Sequence, residues 1–184
     1  MFDHNRAGTA YAFTAFTAIL PGHEEAVRER IESLPRGPES PLARLDTLHY
    51  SRLQIFDELV YQGPPQKKRD RLKSSYLVFT ASLDGDLDPF LDAIADRLPA
   101  EADGWWGHCV AYPGAANREA FKRWLKHNQV PNALFSSMYS TESVQAVRSA
   151  LALRERVLEF ATAAQGLEPA ELQRRFHTEL AGLV

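Results

Sequence analysis

Arg52 and His108 are the residues whose types and positions hold the most chemistry. Arg52 falls in the middle of an extended, mostly apolar stretch at residues 48–59. A cation beneath a covered sheet face needs an anionic partner, because an unpaired buried charge is costly. A carboxylate or propionate of a ligand would serve, and so would an acid across a dimer interface. The structural alternative is a solvent-facing rim position. His108 lies between Trp106 and Val110, where an imidazole titrating near neutral pH could act as general base or metal ligand. A histidine bonded to neighbouring backbone explains it equally well. Tyr50 alternates onto the same side of its strand as Arg52, and Tyr76, Thr80, Tyr112 and Trp106 are the expected ligand-binding walls.

The remaining reactive types read more plainly. His49 is expected to point toward the helices as a packed structural histidine, and His127 to meet the carboxy-terminal carbonyls of its helix. Asp84, Asp86 and Asp88 superficially resemble a calcium loop, but the ligand spacing with a distal glutamate is missing, so turn formation and helix capping account for them. Cys109 alternates away from His108, against a Cys/His nucleophilic pair. The basic run at residues 67–73 reads as a solvated hairpin loop, with a lid or anion contact as the minority reading. Phosphate loops, dinucleotide fingerprints, serine-nucleophile elbows and zinc-ligand arrays are absent from the sequence.

Four strands and two helices must position these groups. Residues 10–20 are aromatic- and threonine-rich and stop at Pro21-Gly22, which predicts a strand; residues 23–34 carry apolar positions at helical spacing. Residues 48–59 and 74–83 predict two further strands joined by a long loop. After the turn Asp84-Gly85-Asp86, Asp88 is the expected N-cap and Pro89 the first residue of a helix whose stripe is Phe90, Leu91, Ile94 and Leu98. Residues 106–112 predict a fourth strand, and residues 117–127, 143–164 and 170–183 predict helices. Strand, helix, strand, strand, helix, strand is the split pattern of a ferredoxin-like antiparallel sheet with both helices on one face. One domain is expected over residues 1–184, with a core at 10–114 and a helical extension at 115–184 packing on it. The opposite sheet face would hold Tyr50, Arg52, Gln54, Tyr76 and Thr80, with His108 and Tyr112 beside them. Something must cover it: a second subunit, the extension or a ligand.

Composition sets the outer limits. The formal charge of −3 and pI near 6.1 give no reason to expect nucleic acid or anionic membrane as partner. One cysteine excludes an intramolecular disulfide and suits a reducing cytoplasm, and residues 1–9 lack the pattern of a secretory signal.

The segments at residues 48–52, 80–85 and 106–113, in this order of elements, resemble the dimeric α/β-barrel superfamily, in an uncharacterised bacterial branch with added carboxy-terminal helices. The resemblance covers about three-fifths of the chain and contains no diagnostic catalytic motif. It implies a homodimer and admits haem peroxidases, haem-degrading enzymes, cofactor-free monooxygenases, isomerases and plain binding modules. Haem is therefore a candidate cofactor, with His108 or His127 as its axial ligand. The leading expectation is an enzyme of redox or proton-transfer chemistry on an apolar, acidic small-molecule ligand. His108, Arg52 and Tyr50 would be its catalytic groups. A haem peroxidase- or oxygenase-like protein and a non-catalytic dimerisation or ligand-binding module are the alternatives.

Overall fold

A computed structural model describes residues 4–59, 63–64, 72–138 and 140–180. The loop and lid readings of the basic run bear on residues 67–71, which lie outside that set. The chain divides into two compact units, Met1–Thr141 and Glu142–Val184. The first is an α+β unit of β1 (Arg6–Ala7), β2 (Ala10–Ala18), α1 (Glu24–Glu32), 3-10 turns at Gly37–Glu39 and Pro41–Arg44, β3 (Leu48–Phe56), β4 (Tyr76–Asp84), α2 (Leu87–Arg97), α3 (Pro99–Trp106) and α4 (Arg118–His127). The second holds α5 (Val144–Ala163) and α6 (Pro169–Glu179). Ser143 caps α5 by accepting from the Ala146 N–H, and Phe160 of α5 meets Phe176 of α6 edge-on at 6.1 Å.

The sheet is four-stranded and antiparallel in the order β1-β2-β4-β3. Alternation sorts its side chains: Phe13, Ala15, Leu77, Phe79, Ala81 and Leu83 face the helices and are buried. Phe90, Leu91 and Ile94 of α2 meet them, as the apolar stripe requires. Each burial of a Leu, Ile or Phe side chain in this layer contributes roughly 1.5–3 kcal/mol.

The expected last strand is not a strand. Pro99 at the first helical position and Glu101 in the first turn start α3, which runs through Trp106. Within residues 107–112 the sheet contact is a single bridge from Cys109 to Ile19, and Ala111 turns the chain away with φ at 56°. The outer edge of β2 is instead satisfied piecewise. β1 pairs at one end, the Phe16 and Val130 N–H groups bond Asn128 and Thr14 carbonyls in the middle, and the Leu20 and Val110 N–H groups bond His108 and Ala18 carbonyls at the other end. This edge solution replaces the fourth strand of the expected ferredoxin-like pattern.

Two further boundaries differ from expectation. Asp86, with extended backbone at φ −98°, precedes α2 in place of Asp88. Pro89 then sits third in the helix, where its missing N–H is still one of the unpaired first-turn donors. Helix α4, expected in the extension, belongs to the first unit, where Phe121 and Trp124 lie 5.7 and 6.4 Å from Trp106.

Candidate functional site

The face of the sheet turned away from α2 is the candidate site. Three rows cross it in register: Ala12, Ser82 and Tyr50; Thr14, Thr80 and Arg52; Phe16, Val78 and Gln54. A last row sets Ala18 and Tyr76 beside Phe56. Tyr50, Arg52, Gln54, Tyr76 and Thr80 therefore occupy the face that strand alternation assigns to them. The Phe16 ring lies 6.2 Å from Phe56 and 6.4 Å from Tyr76, forming an aromatic cluster over the buried Val78. Phe16 and Phe56 remain 36 and 39% exposed, so this end of the face is an open apolar surface. At the other end the β2 side is closed over, with Ala10 and Ala12 buried, while Tyr50 on the β3 edge is 55% exposed.

Arg52 stands between these ends. Its Nε donates to the Tyr50 hydroxyl at 3.1 Å, and its guanidinium lies 5.9 Å from the Tyr50 ring centre. Among the described residues it makes no ion pair, so donors of its planar fork remain for an external acid.

His108 does not join this group. Its carbonyl accepts from the Leu20 N–H, past the end of β2, whereas Arg52 lies level with Thr14 and two strands across. At strand rise, residues 14 to 20 cover on the order of 15–20 Å. The shared enclosure of Arg52 and His108 therefore does not exist. The His108 imidazole instead meets His23, Nδ1 to Nδ1 at 2.8 Å, before the first turn of α1.

Trp106 and Tyr112 also leave the expected wall, because the segment that would have carried them along the sheet is helix and turn. Trp106 is fully buried on the helix side, 5.6 Å from Phe79 at 86°. Tyr112 stacks edge-on against Trp124 at 5.2 Å, and its hydroxyl donates to Asp103 Oδ1 at 2.7 Å. Burial, then Asp103, pushes the Tyr112 phenol far above its ordinary range. Cys109 is buried, and burial raises its thiol to about 11.

These positions do not fit haem. Its axial ligand must rise from the wall of an apolar slot, whereas His108 is engaged with His23 at the sheet's far edge and His127 is exposed at the end of α4. No group of three or more His, Cys, Asp or Glu among the described residues is placed to hold a metal ion. No described helix is long and apolar enough to cross a membrane.

Sequence alternation missed one pair. A β-bulge between Leu48 and Tyr50 squeezes His49 out of the ladder, and its Nε2 lies 2.6 Å from Asp84 Oδ1. Bulges carry little sequence signal, and this one redirects an imidazole expected on the helix side. The chain matches no protein-family model, no curated protein and no solved structure.

Proposed function

We propose that the protein binds a small organic acid with an apolar body on the open sheet face, Arg52 taking the carboxylate. The carrying observation is an exposed arginine in the middle of the edge strand β3, whose guanidinium meets Tyr50 and makes no ion pair among the described residues, on the same face as the exposed Phe16 and Phe56 rings and the half-buried Tyr76. Arg52 offers two parallel N–H donors to a carboxylate, and the aromatic rings receive the apolar body. The sheet and its first crossover are read here as a ferredoxin-like core whose last strand is replaced by β1 and the two bridging segments.

Titration with phenylacetate, followed by amide chemical shifts, tests this reading. Arg52→Ala should weaken binding at least tenfold, and phenylacetamide should bind the native protein equally weakly. Equal binding of acid and amide would sink it.

The exposed aromatic end supports a second reading, a non-catalytic dimerisation module. Phe16 and Phe56 would then be covered by a second copy of the chain. The Arg52 cation on this face disfavours self-association without an anion between the copies, which places the ligand-binding reading first.

A further inference from the structure

Strand β3 lies at an outer edge of the sheet, and the hydrogen bonds of its neighbours fix which of its backbone groups point outward. In β2 the Phe16 N–H donates to the Asn128 carbonyl and the Thr14 carbonyl accepts from the Val130 N–H, so even-numbered residues turn their backbone groups away from β4. Phe13, Ala15 and Thr17 therefore bond β4, at Ala81, Phe79 and Leu77. The alternate β4 residues, Tyr76, Val78, Thr80 and Ser82, must then bond β3, where they stand opposite Phe56, Gln54, Arg52 and Tyr50. The Asp84 N–H, which donates to the Thr47 carbonyl just before β3, follows the same parity. What remains is an outward row of N–H and C=O groups on Ser51, Leu53 and Ile55, which no described residue hydrogen-bonds.

Such an edge can pair with another extended chain, and proteins commonly blunt it with lysine, proline or short length. β3 is nine residues long and holds neither lysine nor proline; its irregularity is the bulge before Tyr50. The side chains around the row say what fits. Arg52 is exposed, makes no ion pair among the described residues, and is the only full charge from Tyr50 to Phe56. The exposed Tyr50 and Phe56 flank it on the open face, while Leu53 and Ile55 pack against the core on the other. A second copy paired antiparallel at fullest overlap would set Arg52 opposite its own duplicate, and like charges directly opposite are destabilising. A carboxylate at that position is favourable instead.

We propose that the β3 edge takes up an extended acidic peptide as an additional strand, antiparallel to β3, with a glutamate or aspartate opposite Arg52 and apolar residues beside Leu53, Ile55 and Phe56. Main-chain bonds to Ser51, Leu53 and Ile55 supply affinity, and Arg52 supplies the choice of sequence. The charge recognition rests on the anion-binding reading above; the acid is then a peptide side chain and the apolar body its neighbours.

The test uses acetyl-Phe-Val-Thr-Val-Glu-Thr-Val-amide, whose glutamate is its only charge. In the proposed register the glutamate faces Arg52 and the second valine faces Leu53. Binding to the full chain is followed by amide chemical shifts and hydrogen exchange. In the free protein the Ser51, Leu53 and Ile55 amides should exchange at least about tenfold faster than those of Arg52 and Gln54, and saturating peptide should slow them by at least as much. Glutamine in place of the peptide glutamate, or Arg52→Ala in the protein, should weaken binding about tenfold. N-methylation of the second valine, whose N–H faces β3, should abolish binding, whereas N-methylation of the glutamate, whose N–H faces away, should leave it within about twofold. Phenylacetate bound through Arg52 without saturable peptide binding, or peptide bound equally with either N-methyl group, overturns the edge pairing alone. Peptide that pairs with the edge but is indifferent to glutamine and to Arg52→Ala overturns the anion-binding reading and the acidic preference with it. Slow exchange of Ser51, Leu53 and Ile55 in the free protein that is lost on dilution overturns the peptide in favour of a second copy.

Discussion

Cys109 shows how burial alone sets the chemistry of a residue. Its thiol is 3% exposed and contacts the Thr17 hydroxyl at 3.5 Å, which in turn donates to the Leu77 carbonyl at 2.9 Å. Desolvation raises the thiol from 9.0 to about 11, and the Thr17 contact opposes this only in part. A raised folded value means that the thiol's contribution is complete below pH 9.0 and is lost as pH climbs through about 11. The shift corresponds to roughly 2–3 kcal/mol across that window. Urea midpoints should therefore fall more steeply above pH 9.0 in the native protein than in Cys109→Ala, and parallel curves would refute the assignment. Tyr112 is the companion case. Its hydroxyl donates to Asp103, which also accepts from the Ala115 N–H at 2.9 Å. Tyr112→Phe should accordingly cost about 1 kcal/mol of unfolding free energy, the usual net worth of one such bond, and leave phenylacetate affinity unchanged.

At the scale of elements, two glycines carry opposite expectations. Gly8 joins β1 to β2 with φ at 61°, and a Cβ there would stand 2.1 Å from the Ser140 carbonyl oxygen. That backbone cannot yield cheaply, because the Thr9 N–H donates to the same oxygen at 2.8 Å. Gly8→Ala should destabilise the protein by about 2 kcal/mol or more, read as a lower urea midpoint. Gly104 lies inside α3, where glycine costs up to about 1 kcal/mol against alanine. Its added Cβ would meet the Arg30 Nε at 2.7 Å, the far end of a flexible side chain that can swing aside. Gly104→Ala should therefore raise the urea midpoint; a fall would show that the Arg30 seat matters more than helix propensity.

Across the whole molecule, the sheet has one face in the core and one that ends in exposed aromatic rings. If two copies meet there, Phe16→Asp should convert a dimer to a monomer in sedimentation experiments, because a carboxylate cannot be desolvated against Phe56 and Tyr76 without a partner. An unchanged mass would leave the face to a ligand. The sequence by itself determined the three long strands, every helix except α3, whose residues read as a connection, and the split of side chains between the two sheet faces. Those follow from local periodicity: Tyr50, Arg52 and Gln54 alternate against Leu53 and Ile55 whatever the rest of the chain does. Tertiary structure decided what alternation cannot encode. Residues 106–112 have strand-like composition, yet Trp106 is drawn into helix and core by contact with Phe79, Phe121 and Trp124, which carries His108 to the sheet's far edge. The His49–Asp84 pair likewise arises only where the bulged start of β3 meets the end of β4, residues 35 positions apart in the chain. Contacts of that separation depend on register and packing between elements, which no local pattern fixes.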